Sequence, residues 1–244
     1  MPGLLLIYAH PDDETFFAAG VIAKYSAAGV PVTLICATRG ERGNTSNLCS
    51  MEALPRVREG ELRQAGRILG IGEIEMLSYE DQKLSAAPVD EIRRSITAAV
   101  RRHRPEIVIT FDPEGANRHG DHIAISRFAA DAVSAAADAR WYPETGGAHS
   151  VKRVLWQAPI PPFELGRTKD LALRPGIDIL VDISEFREKK QAALRAHRTQ
   201  FAGLNRLFST EGALSFEAFR IGEGARPQRA PAGDLFDGSS GGGR

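Results

Sequence analysis

Short apolar runs recur along this chain, each followed by an amphipathic stretch, and that alternation predicts parallel strands joined by crossover helices. The runs fall at residues 4–9, 32–37, 74–77, 107–111, 151–156 and 177–181. Their continuous apolar character fits strands covered on both faces. Helical periodicity follows at residues 15–28, 56–69, 89–103, 121–137 and 185–201. Gly29 and Gly70 read as helix stops and Pro88 as a helix start. The expected fold class is α/β: a Rossmann-like three-layer α/β/α sandwich with a mostly parallel sheet. The pattern does not give the strand order, but a switch point near the carboxyl end of the first strand would be the natural site. Residues 39–54, RGERGNTSNLCSMEAL, read as a long loop above the strand ends.

Composition narrows the class. The chain has 244 residues and is 43% hydrophobic and 25% charged, which suits one soluble globular domain. From Gly222 onward Gly, Pro, Ala, Ser and Arg dominate, so residues 1–221 are expected to form a single catalytic domain and 222–244 a disordered tail. Equal numbers of basic and acidic residues, 31 each, argue against nucleic acid as a partner. The apolar stretch at residues 3–9 is too short for a membrane span and lacks the features of a secretory signal. A cytoplasmic protein without a membrane partner is expected, and a homo-oligomer is compatible with the sequence. Cys36 and Cys49 are too few for a disulfide framework and show no metal-ligand spacing.

The candidate chemistry lies in two clusters, each at the end of a predicted strand. Ala9-His10-Pro11-Asp12-Asp13-Glu14 follows the first strand, and Pro11 biases His10 toward an extended backbone. Taken alone, Asp12 or Asp13 could simply cap the helix that begins near Thr15. The second cluster shifts the balance: Asp112-Pro113 closes the fourth strand, and His119-Gly120-Asp121-His122 opens the next helix. Aspartate and two histidines from these clusters match the three-ligand, open-position set of a hydrolytic zinc site. Such a metal gives water a pKa near ~7 and polarises a carbonyl, so the bound water is the expected nucleophile. Asp12, beside a ligand but free of the metal, is the natural general base.

AHPDDE after an N-terminal strand, paired with HGDH about a hundred residues later, resembles the PIG-L/LmbE-like family of metal-dependent N-acetylglucosaminyl deacetylases. The resemblance runs from Leu4 to about Gln200. It implies that His10, Asp13 and His122 bind the metal, with Zn2+ as cofactor and Fe2+ or another divalent ion as a substitute. It also implies that Asp12 is the general base, that His119 assists the oxyanion or the leaving amine, and that Asp121 orients a neighbouring histidine. Arg58 and Asp81 match substrate contacts, and Asn117, beside His119, is a third candidate. Arg58 also reads as an exposed helix arginine, and Asp81 as an ordinary turn aspartate. His197 and Gln200 fall in the family's late helix. In departure from better-known members, Asn117 and Arg118 stand where tyrosine and glycine are found, and Gly120 replaces a common proline.

The expected activity is N-deacetylation of a small N-acetylglucosaminyl conjugate, a small-molecule partner. Hydrolysis of another amide on a glucosaminyl conjugate would use the same residues. Two further readings compete. One is an Fe(II) oxygenase with two histidines and one carboxylate, which the α/β architecture disfavours. The other is a catalytically idle sugar- or metal-binding protein, against which the presence of both Asp12 and His119 argues.

Overall fold

The computed structural model describes residues 3–158, 174–201, 214–227 and 231–237. Strands β1 (Leu4–Tyr8), β2 (Val32–Thr38) and β4 (Ile107–Phe111) are buried at every position, as their largely apolar sequences favour. With β3 (Glu73–Tyr79), β5 (Arg153–Ala158), β6 (Ile179–Asp182) and β7 (Phe216–Gly224) they form one seven-stranded sheet. The order is β3-β2-β1-β4-β5-β7-β6, parallel except for β7, which runs antiparallel to both neighbours.

Helices α1 (Asp13–Ala27), α2 (Leu54–Leu69) and α6 (Arg187–Ala196) pack on one another. On the other face α3 (Val89–His103) packs on α5 (Gly120–Ala137). The result is the three-layer α/β arrangement expected from the alternating pattern. A short α4 (Gly115–Arg118) precedes α5, and α7 (Arg198–Phe201) follows α6. None of the helices among the described residues is long and apolar enough to cross a membrane.

β1 pairs with β2 on one side and β4 on the other, so the chain's winding reverses between β1 and β4. The two clusters singled out from the sequence follow these two strands. The topology therefore brings them to the same crevice.

Two expectations need correction. The predicted late helix at residues 185–201 is broken: His197, at φ −82 and ψ 62, ends α6 before α7 begins. The predicted tail from Gly222 is not a tail over its described part. β7 continues to Gly224, Ala232 forms a bridge to Ile179, and Ala232 and Leu235 are buried. The reason is Arg153, the largest fully buried side chain, whose guanidinium donates to the carbonyls of Ala225, Leu235 and Asp237. Residues 238–244 lie outside the described residues.

Candidate metal centre

The turn after β1 makes Asp12 the N-cap of α1, yet its side chain makes no capping bond. The simple capping role considered for it is absent, and the carboxylate faces a cavity instead. The His10 N–H donates to Asp13 Oδ2 at 2.8 Å, which folds the turn back so that both side chains converge. From the other cluster, His122 enters on the first turn of α5, with its ring stacked on Phe111 at 3.9 Å between centroids. His122 Nδ1 lies 3.3 Å from the Gly115 carbonyl. A Cβ on Gly115, at φ +71, would stand 2.8 Å from the Ile123 nitrogen, so that approach requires glycine.

Three donor groups now meet. His122 Nε2 is 3.3 Å from His10 Nδ1 and 3.2 Å from Asp13 Oδ1, and His10 Nδ1 is 3.6 Å from Asp13 Oδ2. Ligands held about 2.0–2.1 Å from a tetrahedral ion stand roughly 3.3–3.5 Å apart. The cluster has those dimensions. A second grouping, His10, His119 and His122, also keeps its ligand atoms within 4.8 Å of one another. We favour the set with Asp13, because its donors stand 3.2–3.6 Å apart and the His119 Nδ1 is occupied by the Asp121 N–H.

The partners of each ring fix which nitrogen faces the centre. His10 Nε2 lies 3.1 Å from Asp121 Oδ2 and 3.1 Å from Asp81 Oδ1, so those carboxylates hold Nε2 and Nδ1 is the nitrogen turned toward His122 and Asp13. Asp121 is held by the N–H groups of Gln82 at 2.6 Å and Leu84 at 3.1 Å. The histidine that Asp121 orients is thus His10, from the other end of the site. Burial works to lower the His10 pKa, but the carboxylates of Asp121, Asp13 and Asp81 outweigh it and raise it well above 6.5. For Asp13, burial acts upward, yet the His122 and His10 imidazoles hold its carboxyl far below the usual range. Asp13, Asp81 and Asp121 are all buried, with Asp12 beside them and the single guanidinium of Arg58 nearby. This excess of negative charge suits a cation.

Around this centre lies a cavity of about 320 Å³, at the small end of ligand pockets. Asp12 lines it with its carboxyl pushed up to about 7 by burial, against the opposing Arg58 guanidinium and with help from Asp13. His119 lines it as well. Its Nδ1 accepts the Asp121 N–H at 3.2 Å, which leaves Nε2 as the donor, and burial lowers its pKa, reinforced by His10 and His122. Asn117 is exposed at the rim and its Oδ1 accepts the His119 N–H at 3.1 Å. Arg58 and Asp81 reach the cavity, and apart from the buried, unpartnered Arg58 Nε their polar groups are engaged. The Arg58 guanidinium donates to the Gly40 and Pro11 carbonyls and lies 3.2 Å from Asp12 Oδ2. The Asp81 carboxylate takes the Arg42 N–H besides facing His10.

Sequence reasoning left three features out. Glu14 and His197 form a fully buried pair at 2.7 Å, and the other Glu14 oxygen accepts the Asp12 N–H at 3.0 Å. Phe16, Phe17 and Phe201 line the cavity. Gln82 holds Asp121 through its backbone. The adjacent Phe16-Phe17 pair, two large aromatics directly after the AHPDDE turn, was the available signal.

The fold is a three-layer α/β arrangement in which two histidines and an aspartate converge at the topological switch point. The chain belongs to the PIG-L family: the model described as GlcNAc-PI de-N-acetylase matches residues 5–133. A 1D-myo-inositol 2-acetamido-2-deoxy-alpha-D-glucopyranoside deacetylase of Streptomyces avermitilis is 32% identical, over 96% of this chain and 96% of that protein. A probable N-acetyl-alpha-D-glucosaminyl L-malate deacetylase of Bacillus anthracis is 33% identical, over 82% of this chain and 81% of that protein. Among solved structures, N,N'-diacetylchitobiose deacetylase from Pyrococcus horikoshii superposes with a TM-score of 0.73 at 26% identity, covering 90% of this chain and 83% of that one.

Proposed function

We propose that this protein is a divalent-metal hydrolase, with zinc as the metal, that removes the N-acetyl group from a small N-acetylglucosaminyl conjugate. The observation that carries the reading is the meeting of His10, Asp13 and His122 at 3.2–3.6 Å on a cavity that also presents Asp12 and His119. Relatives named as deacetylases of glucosaminyl conjugates supply the substrate class. Nitrogen and carboxylate donors suit zinc, and Fe(II) fits the same set.

His10, Asp13 and His122 would hold the ion. A cation there supplies Lewis-acid chemistry, acidifying a water and polarising the amide carbonyl. Asp12 takes the water's proton, its carboxyl raised by burial toward the range where a base works best at neutral pH. His119, with Nε2 as its donor, faces the oxyanion and the departing nitrogen. The amide C–N bond breaks as its nitrogen takes up the proton that Asp12 received, water's oxygen ends in acetate, and the sugar leaves as a free amine.

The test is acetate and amine release over a panel of N-acetylglucosaminides, with metal analysis of the same sample. Asp13→Ala and His122→Ala should lose metal. Asp12→Asn should keep metal and lose about 10²–10⁴ in kcat. Near wild-type turnover by Asp12→Asn would remove it as the base.

A further inference from the structure

The floor of the cavity is ionic, but one wall is aromatic. Phe16, in the first turns of α1, keeps 45% of its surface exposed while lining the cavity. Phe201, at the end of α7, lines it too, and the two rings are nearly parallel, 11° apart, with centroids separated by 6.2 Å. Phe17 links this pair to the donors: its ring stands 4.9 Å from that of Phe16 and 6.2 Å from that of His122. Phe17 thus connects the pair to the donor side of the same cavity.

The charge supply of the cavity points the same way. Among the described residues that line it, Arg58 is the one lysine or arginine; its two terminal nitrogens serve Pro11, Gly40 and Asp12, and its unpartnered Nε is buried. A dicarboxylate entering there would meet Asp12, Asp13 and Asp81 without an uncommitted cation from these residues. A neutral ring has no such penalty, and its axial C–H face buries apolar area against an aromatic face.

We propose that Phe16 and Phe201 form an aglycone subsite that takes a neutral ring, a hexose or cyclitol, in preference to an acyclic dicarboxylate. The proposal rests on the N-deacetylase reading. In a 2-acetamido sugar the anomeric carbon adjoins the carbon that bears the amide. An amide anchored at the floor thus sends the anomeric substituent along the wall of the same cavity, toward the two rings.

The experiment compares N-acetylglucosaminides with cyclitol, hexose, methyl and dicarboxylate aglycones on wild type, Phe16→Ala and Phe16→Trp. Acetate release gives kcat and KM, calorimetric titration of the same glycosides gives binding, and thermal unfolding checks that each variant is folded. Wild type should favour the ring aglycones over methyl and dicarboxylate by about tenfold in kcat/KM, expressed in KM. Phe16→Ala should bring that ratio close to one, and Phe16→Trp should restore it. A dicarboxylate preference, or an equal loss by Phe16→Ala on every substrate, overturns the subsite. If no glycoside releases acetate, the deacetylase reading falls, and the titrations still decide the subsite. Tighter binding of ring aglycones, lost in Phe16→Ala, then upholds it, and equal or absent binding overturns it.

Discussion

Asp12 occupies φ 116 and ψ −24, backbone space that an L side chain rarely adopts, and it does so at the position proposed as the base. Glu14 is what holds it there. One of its carboxylate oxygens accepts the Asp12 N–H, and the other pairs with His197, a side chain that, like Glu14, is completely enclosed. Burial acts to lower the His197 pKa, but the charges of Glu14 and, further off, Asp12 raise it above 6.5. A histidine whose folded pKa exceeds the unfolded value of about 6.5 stabilises fully below that value and loses the contribution as pH rises through the folded pKa. The stability advantage of wild type over His197→Gln, measured by urea unfolding, should therefore be larger at acidic than at alkaline pH. A difference that does not vary with pH would show that the pair is not ionised.

The helix that carries this residue is braced from outside. Glu217 of β7 accepts the N–H groups of Gly20 and Val21, while Lys190 of α6 and Gln157 of β5 donate to the carbonyls of Phe16 and Phe17. Lys190 and Glu217 also pair with each other at 2.7 Å, both buried. Three separate elements thus fix the turn of α1 that presents the aromatic wall. Removing one partner of a buried pair strands the other charge, at about 3–5 kcal/mol. Glu217→Leu should lose stability of that order in urea, and Glu217→Leu with Lys190→Met should recover a large part of it. Simple additivity of the two substitutions would contradict a direct ionic coupling.

Across the chain as one folded unit, the segment after β7 closes one end of the core. Leu235 is fully buried and its N–H donates to the Tyr25 hydroxyl, while its carbonyl and that of Asp237 receive Arg153. Truncation after Pro227 would remove these acceptors and uncover apolar surface. The expected loss is roughly 3–5 kcal/mol, from a buried donor left without partners and a vacated leucine site. Thermal unfolding of the truncated chain measures it, and an unchanged Tm would mean that the segment is dispensable.

Local pattern made the inner sheet legible. β4 was expected at residues 107–111 and α3 at 89–103, where they are found, because unbroken apolar runs and a clean amphipathic period are properties of neighbouring residues. The metal-ligand candidates were legible for a similar reason: two short clusters carry the residue types, and each follows a strand. β7 was missed because its charges fall at every third position, Glu217, Arg220 and Glu223, which breaks the period-two pattern of a strand, and its glycines blend into a Gly- and Pro-rich stretch. Nothing nearby in sequence discloses that Arg153 needs carbonyls some eighty residues later, or that Glu14 is the partner of His197. Amino-acid order settled which groups are present and which strands are covered on both faces, since those follow from side-chain chemistry and short-range periodicity. Packing settled which carboxylate meets which imidazole and which aromatic faces the cavity, because those contacts join residues that only the sheet's winding brings together.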